Sequence, residues 1–262
     1  MRIGEVIRQL QGPSAGGQNH TVDGLQAGDP DTGVTGIAVA FMATQGVIKQ
    51  AIAQGANLLI THEGIFYSHH TPSKYTEDPV YRRKKELIDS SGLAIFRFHD
   101  GPHRLQPDEI TAGLIADLAW EAYVQEQQPA ATIVELPARP LREMGEYVKR
   151  QLGLSYVRAV GDLSQPCSRV GVLVGFRGNG ETSIPLFEHK RLDLIIGGEM
   201  FEWETPEYVH DAVHQGEGKA LLLLGHAQSE APGMKRLAVR LQAQYPSVPV
   251  FFLAGEHDFQ LI

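Results

Sequence analysis

Gly171-Val172-Leu173-Val174-Gly175-Phe176, in the second half of the chain, resembles Gly36-Ile37-Ala38-Val39-Ala40-Phe41 in the first, and this pairing decides the fold. After each stretch a helix-length segment leads to a second matched pair at nearly equal spacing. Asn57-Leu58-Leu59-Ile60-Thr61-His62-Glu63-Gly64 stands against Asp193-Leu194-Ile195-Ile196-Gly197-Gly198-Glu199-Met200. A third pair follows: Leu93-Ala94-Ile95-Phe96 runs into Phe98-His99-Asp100-Gly101-Pro102-His103, and Leu221-Leu222-Leu223-Leu224 into Gly225-His226-Ala227-Gln228-Ser229-Glu230. Strand, helix, strand, helix, strand in each half predicts an α/β fold of two similar lobes, with mainly parallel sheets flanked by helices. The apolar runs are short, as strands buried on both faces are. Between the halves, the polar stretch Gln125-Glu126-Gln127-Gln128-Pro129-Ala130 reads as the close of a helix and sets the boundary, giving lobes of residues 1–128 and 129–262 with a metal site between them.

In open α/β sheets ligands bind beyond the carboxyl ends of the strands, and there the chemistry of this chain is concentrated. His62, Glu63, His103, His226 and Glu230 are imidazoles and carboxylates at three such ends. The donor set suits Zn, Mn, Fe, Co or Ni and disfavours an oxygen-only calcium cage. Five ligands exceed the needs of one tetrahedral ion and suffice for two divalent ions sharing a bridging carboxylate and a hydroxide. Each residue also has a plainer reading. His226 and Glu230 could share a surface hydrogen bond, His62-Glu63 could cap the next segment, and His103 could face solvent from its Gly-Pro loop. His99, directly on its strand end, reads as a group that orients a ligand or touches substrate, and with Glu199 it is a candidate proton shuttle.

Other motifs carry less. Tyr67-Ser68-His69-His70-Thr71-Pro72 reads as an exposed loop or a lid, and His257-Asp258 as a tail feature. Gly175-Phe176-Arg177-Gly178-Asn179-Gly180 could offer backbone N–H groups to a phosphate, yet fits neither the dinucleotide nor the Walker spacing. Arg82-Arg83-Lys84-Lys85, the densest basic run, reads as a solvated helix face.

Composition narrows the classes. The chain has 262 residues, a formal charge of -8 and a single cysteine, Cys167. One cysteine excludes an intrachain disulfide and any multi-cysteine zinc site, and suits a reducing cytoplasm. The negative balance argues against a nucleic-acid surface. Met1 to Leu10 reads as an amphipathic helix without a secretory core, and no apolar stretch approaches membrane-spanning length. The expectation is a soluble cytoplasmic protein with no membrane partner.

The motifs together resemble the Nif-three-like family of hexameric dinuclear-metal proteins, often described as type-two GTP cyclohydrolase. The likeness runs over nearly the whole chain: Asp23-Gly24-Leu25-Gln26-Ala27-Gly28, Gly36 through Ala51, the His62-Glu63 strand end, Gly197-Gly198-Glu199, and Gly225 to Glu230, where the family pattern is Gly-His-x-x-Ser/Thr-Glu. It implies two metal ions on His62, Glu63, His103, His226 and Glu230, a toroidal homohexamer with the sites facing an inner cavity, and a small-molecule substrate. That substrate would be GTP, opened at the imidazole ring of guanine; a phosphoesterase or a non-catalytic metal-binding ring is the alternative. Three positions depart from the pattern: Glu63 stands where the family usually has a second histidine, His103 where it has an aspartate, and Trp203 where a histidine is common.

Overall fold

Ile37 to Ala40, Leu58 to Thr61 and Leu194 to Ile196 are completely buried, which only strands covered on both faces achieve. A computed structural model of the chain describes residues 1–12, 21–69, 74–256, 259–260 and 262. Its elements begin with α1 (Ile3–Gln11), β1 (Gly24–Ala27), β2 (Ile37–Ala40), α2 (Gln45–Ala53), β3 (Leu58–Thr61), α3 (Pro79–Ser91) and β4 (Ala94–Arg97). The short helix α4 (Asp100–His103), α5 (Glu109–Asp117), β5 (Val124–Gln127) and β6 (Thr132–Pro140) follow. Then come α6 (Leu141–Leu152), β7 (Arg158–Val160), β8 (Pro166–Leu173), α7 (Gly180–His189), β9 (Leu194–Gly197), α8 (Thr205–His214), β10 (Ala220–Leu223), α9 (His226–Gln244) and β11 (Val250–Leu253).

The chain forms two compact units, one of residues 1–105 with 234–262 and one of residues 106–233. In the first, a five-stranded sheet has the order β1-β4-β3-β2-β11. β2, β3, β4 and β11 run parallel and β1 closes one edge antiparallel to β4. Its core includes Val47 and Ile48 of α2, Leu59 and Ile95 of the sheet, Ile88 of α3 and Leu253 of β11. Local signals delimit the helices. Asp78 accepts from Val80 N at 2.8 Å ahead of Pro79, and Gly92, at φ 68°, ends α3 in the left-handed region that favours glycine.

The second unit is built on a six-stranded sheet of order β5-β6-β8-β9-β10-β7. β8, β9 and β10 are parallel, while β5, β6 and β7 pair antiparallel. This sheet is mixed rather than mainly parallel, because the hairpin β5–β6 adds to its edge. Phe187 of α7, Ile195 of β9, Leu221 of β10 and Val209 of α8 lie in its core.

The units differ from the division at 128/129 expected from the sequence. Gln125 to Ala130 closes no helix: β5 turns there into β6, with Gln128 N donating to Ala131 O at 2.8 Å. At the other end, Val250 to Leu253 lie parallel to Ile37 to Ala40, so the C-terminal strand completes the first sheet. The helix α9 carries the chain back from one unit to the other.

The repeat extends further than the three matched runs. Each unit holds a helix, an antiparallel edge strand and the parallel set in the same arrangement: α1, then β1-β4-β3-β2; α6, then β7-β10-β9-β8. Among the described residues, no helix is long and apolar enough to cross a membrane.

Candidate metal centre

In the first unit β3 ends in His62 and Glu63, both buried. Their backbone stays in the sheet's hydrogen-bond pattern beyond the strand, with Glu63 N donating to Phe41 O at 2.8 Å. β4 ends at His99, and the one-turn helix α4 brings His103 back beside it. The ring centroids of His62 and His99 are 4.4 Å apart, those of His62 and His103 4.9 Å, and those of His99 and His103 5.1 Å. One ring nitrogen from each of these three lies within 4.8 Å of the others, and Glu63, His69 and His99 form a second such group. Nitrogen donors at this separation are within reach of a divalent ion that takes imidazole at about 2.0–2.1 Å after small side-chain rotations. Neutral nitrogen with carboxylate oxygen fits Zn, Mn, Fe, Co or Ni.

The electrostatics favour that chemistry. Burial is the largest influence on His99, and with the neighbouring His62 it pushes the imidazole down to about 3 against the pull of Asp100 and Glu63. The ring is therefore neutral near pH 7 and carries a lone pair. Burial works to raise Glu63, but its contacts with His69, His99 and the Arg97 guanidinium outweigh it and hold the carboxyl at about 2. Arg97, itself buried, donates from Nη2 to Glu63 Oε2 at 2.8 Å and from Nη1 to His69 O at 2.7 Å. His69 Nδ1 lies 2.9 Å from Arg97 Nη2 and 3.2 Å from Glu63 Oε2. A single nitrogen cannot both accept from the first and donate to the second, so the tautomer of His69 decides which of the two contacts is a hydrogen bond.

The second unit presents a different set. Gly225, at φ 108°, turns the chain from β10 into α9, whose first residue is His226. Its Nδ1 is 3.3 Å from Glu199 Oε1 and its Nε2 3.1 Å from Glu230 Oε2. Burial alone would lower His226, but the bonds to Glu199 and Glu230 and their charges win and push it up to about 10. A metal taking this nitrogen displaces that proton, as binding to protonated ligands does. Glu230 is buried while Glu199 is about half exposed. Ser229, in the same turn of α9, accepts from Gly175 N at 2.9 Å and donates to His226 O at 2.7 Å.

Sequence reasoning finds His62, Glu63, His99, His103, Glu199, His226 and Glu230, but passes over the groups that hold them. Asp23 accepts from the backbone N–H of His99, Asp100 and Gly101, each at 2.7 Å; its place in the Asp-Gly-Leu motif is the signal that points to it. Arg97 and Ser229 give none beyond an arginine in an apolar strand and a serine in the Gly-His-x-x-Ser-Glu pattern. His69 leaves the loop reading and joins Glu63, whereas His70 to Pro72 and His257-Asp258 lie outside the described residues.

One other expectation fails, and the weaker reading of the glycine-rich loop as a phosphate cradle finds no support. Lys84 is not part of a solvated face: it is buried, donates to Ile65 O, and lies 5.4 and 5.3 Å from the Phe66 and Tyr67 ring centres, while Arg82, Arg83 and Lys85 are at least partly exposed. In the glycine-rich loop, Gly180 N donates to Glu204 Oε2 at 2.7 Å and Thr182 N to Asn179 Oδ1 at 3.1 Å, with Gly175 N held by Ser229. These donors are engaged, and a carboxylate stands where a phosphate would enter.

Two sheets of parallel cores, with metal-capable imidazoles and carboxylates at the strand ends of both, define an α/β protein with a candidate metal-binding function. The sequence profile of the Duf34/NIF3 (NGG1p interacting factor 3) family matches residues 2–258, and the chain belongs to this family. A GTP cyclohydrolase 1 type 2 homolog of Clostridium perfringens is 25% identical over 245 residues, 89% of this chain and 87% of that protein. A Chlamydia pneumoniae protein of the same name is 54% identical over 82 residues, 31% of this chain and 32% of its own. Among solved structures, a Bacillus cereus protein related to NIF3 superposes with a TM-score of 0.78 at 16% identity, over 100% of both chains. At that identity the likeness establishes the fold alone.

Proposed function

We propose that this chain binds two divalent ions through His62, Glu63, His103, His226 and Glu230, and acts as a metal-dependent hydrolase on a nucleotide in the manner of a GTP cyclohydrolase. The observation that carries the reading is the gathering of the candidate ligands at strand ends in each unit: His62 and His103 with ring centroids 4.9 Å apart in the first, His226 Nε2 3.1 Å from Glu230 Oε2 in the second. Curated relatives named GTP cyclohydrolase 1 type 2 homolog support the substrate class.

Two divalent ions supply Lewis-acid polarisation and water activation near neutral pH. The chain's own residues do the rest. Arg97 balances the charge of Glu63 and holds its carboxylate in one orientation. Burial of His62 in the first unit and of Glu230 in the second keeps bulk water from each and strengthens the electrostatic interactions that each makes within its own unit. Glu199, half exposed and in contact with His226, is the group suited to pass a proton between the site and solvent. By family likeness the protein is a homohexamer enclosing its sites, which restricts the partner to a small molecule.

Elemental analysis of protein purified without chelator is expected to give about two ions per chain, and GTP is expected to turn over when the metals are loaded. A value near zero after reloading with Mn or Zn overturns the reading; two ions without turnover of any nucleotide removes the hydrolase and leaves the metal protein. Light scattering is expected to give six chains, and a monodisperse monomer at micromolar concentration removes the enclosed cavity.

A further inference from the structure

His99 is the strand-end histidine of the first half, yet neither the family ligand set nor the sequence reading makes it a ligand. Its surroundings do. Asp100 Oδ1 is 2.9 Å from His99 Nδ1. A carboxylate only accepts, so Nδ1 carries the proton and Nε2 the lone pair. That Nε2 faces the cluster, 3.7 Å from Glu63 Oε1. A lone pair and a carboxylate oxygen aimed at each other repel, and a cation between them converts the contact into attraction. A carboxylate on one imidazole nitrogen, with the other nitrogen turned into a group of ligands, is the arrangement found behind metal-binding histidines.

The carboxylate is itself held. Asp100 Oδ2 accepts from Thr21 Oγ1 at 3.0 Å, Val22 N at 3.2 Å and Arg104 Nη2 at 3.2 Å. Asp23 fixes the backbone beneath it through the three N–H groups of residues 99, 100 and 101. A histidine serving only to fill space or touch solvent needs no such support. Glu63, by contrast, commits its Oε2 to Arg97 at 2.8 Å and to Gly64 N at 3.3 Å.

From this geometry we propose that His99 ligates metal directly through Nε2, so that His62, His99 and His103 form a three-imidazole face in the first unit, sufficient for one divalent ion of the Zn, Co, Ni or Fe class. Asp100 is its positioning carboxylate. The proposal deepens the metal-binding reading above and rests on it, but it adds a ligand and makes one ion independent of His226 and Glu230.

The test uses the full chain and Co(II) as both titrant and reporter. Wild-type protein is expected to take up two Co(II). The variant His226→Ala/Glu230→Ala is expected to keep one, with the visible absorption of a nitrogen-rich, low-coordinate Co(II) site. In that background His99→Ala is expected to abolish the remaining uptake, and Asp100→Asn, which preserves shape, to weaken it about 10- to 100-fold. Circular dichroism identifies any variant that fails to fold, and the near-isosteric Asp100→Asn keeps the question open to refutation if His99→Ala is lost. Unchanged affinity and spectrum in both the His99→Ala and Asp100→Asn versions of that background overturn the proposal while leaving two-metal binding intact. A wild-type chain that binds no Co(II) overturns both.

Discussion

The two halves share an order of elements and differ in what stands at their strand ends. In the first, β3 ends in His62-Glu63; in the second, β9 is followed by Gly198-Glu199. His103 of the first answers Glu230 of the second. One half offers a neutral imidazole, His99 being held down at about 3, and the other an imidazolium between carboxylates, His226 being pushed up to about 10. The difference lies in space and register rather than in fold. A Cβ on Gly198 would stand 2.5 Å from both Gly175 O and Ser229 Oγ, so the hydroxyl of α9 occupies the place of the imidazole. The strands have also slid: Ile37 pairs with Leu58, whereas its counterpart Val172 pairs with Ile196 rather than Leu194. A two-residue slide keeps each side chain on its face and changes which backbone lies at the strand end.

The most direct challenge to that account is to put a side chain where the second half excludes one. Gly198→Ala is expected to cost about 3 kcal/mol, the upper range for overpacking a well-filled interior, and to lower Tm by roughly 6–12 °C for a chain of this size. An unchanged thermal midpoint would show that Ser229 gives way and that space does not explain the missing histidine.

A second contrast lies within the second half. Glu230 and Glu199 both contact His226, but one is buried against Nε2 and the other is half exposed at Nδ1. Glu230→Ala is expected to weaken Mn or Zn binding about 100-fold, whereas Glu199→Ala should change it by about threefold or less, as for an exposed contact. Equal losses in a metal titration would place both carboxylates on the ion and erase the distinction between ligand and proton carrier.

Much of this is legible in the sequence because it depends on local pattern. A buried parallel strand must be short and apolar and a strand-end ligand must follow it directly, so the three matched runs expose both the sheets and the five candidate ligands. What escapes depends on contacts between segments far apart in sequence. Asp23 reaches residues 99 to 101 across 76 to 78 positions. The return of β11 to β2 joins Val250 with Ile37, and no composition change announces it. The hairpin at Gln125 to Ala130 reads as a helix end because its polar residues suit a linker as well as an edge strand with alternate positions exposed.

Lys84 is the remaining test of how the two halves differ, and it carries a pH signature. In α8 the buried residues are Thr205, Pro206, Val209 and Ala212, none of them charged. In α3 Lys84 is buried along with Ile88, and loss of hydration lowers the lysine from the ordinary 10.5 to about 8. Below pH 8 folding must bury a charged ammonium that water solvates in the unfolded chain, a cost partly relieved by Ile65 O and the rings of Phe66 and Tyr67. Between pH 8 and 10.5 the unfolded chain binds the proton and the folded chain does not, so stability rises with pH across that window. Denaturant unfolding of wild type against Lys84→Met is expected to show this as a difference. The lysine protein gains about 2 kcal/mol relative to methionine between about pH 7 and pH 10, somewhat less than the full 1.36 kcal/mol for each pH unit of the window. Parallel pH profiles would mean that the ammonium remains hydrated in the folded state, and that burial of a charge does not set α3 apart from α8.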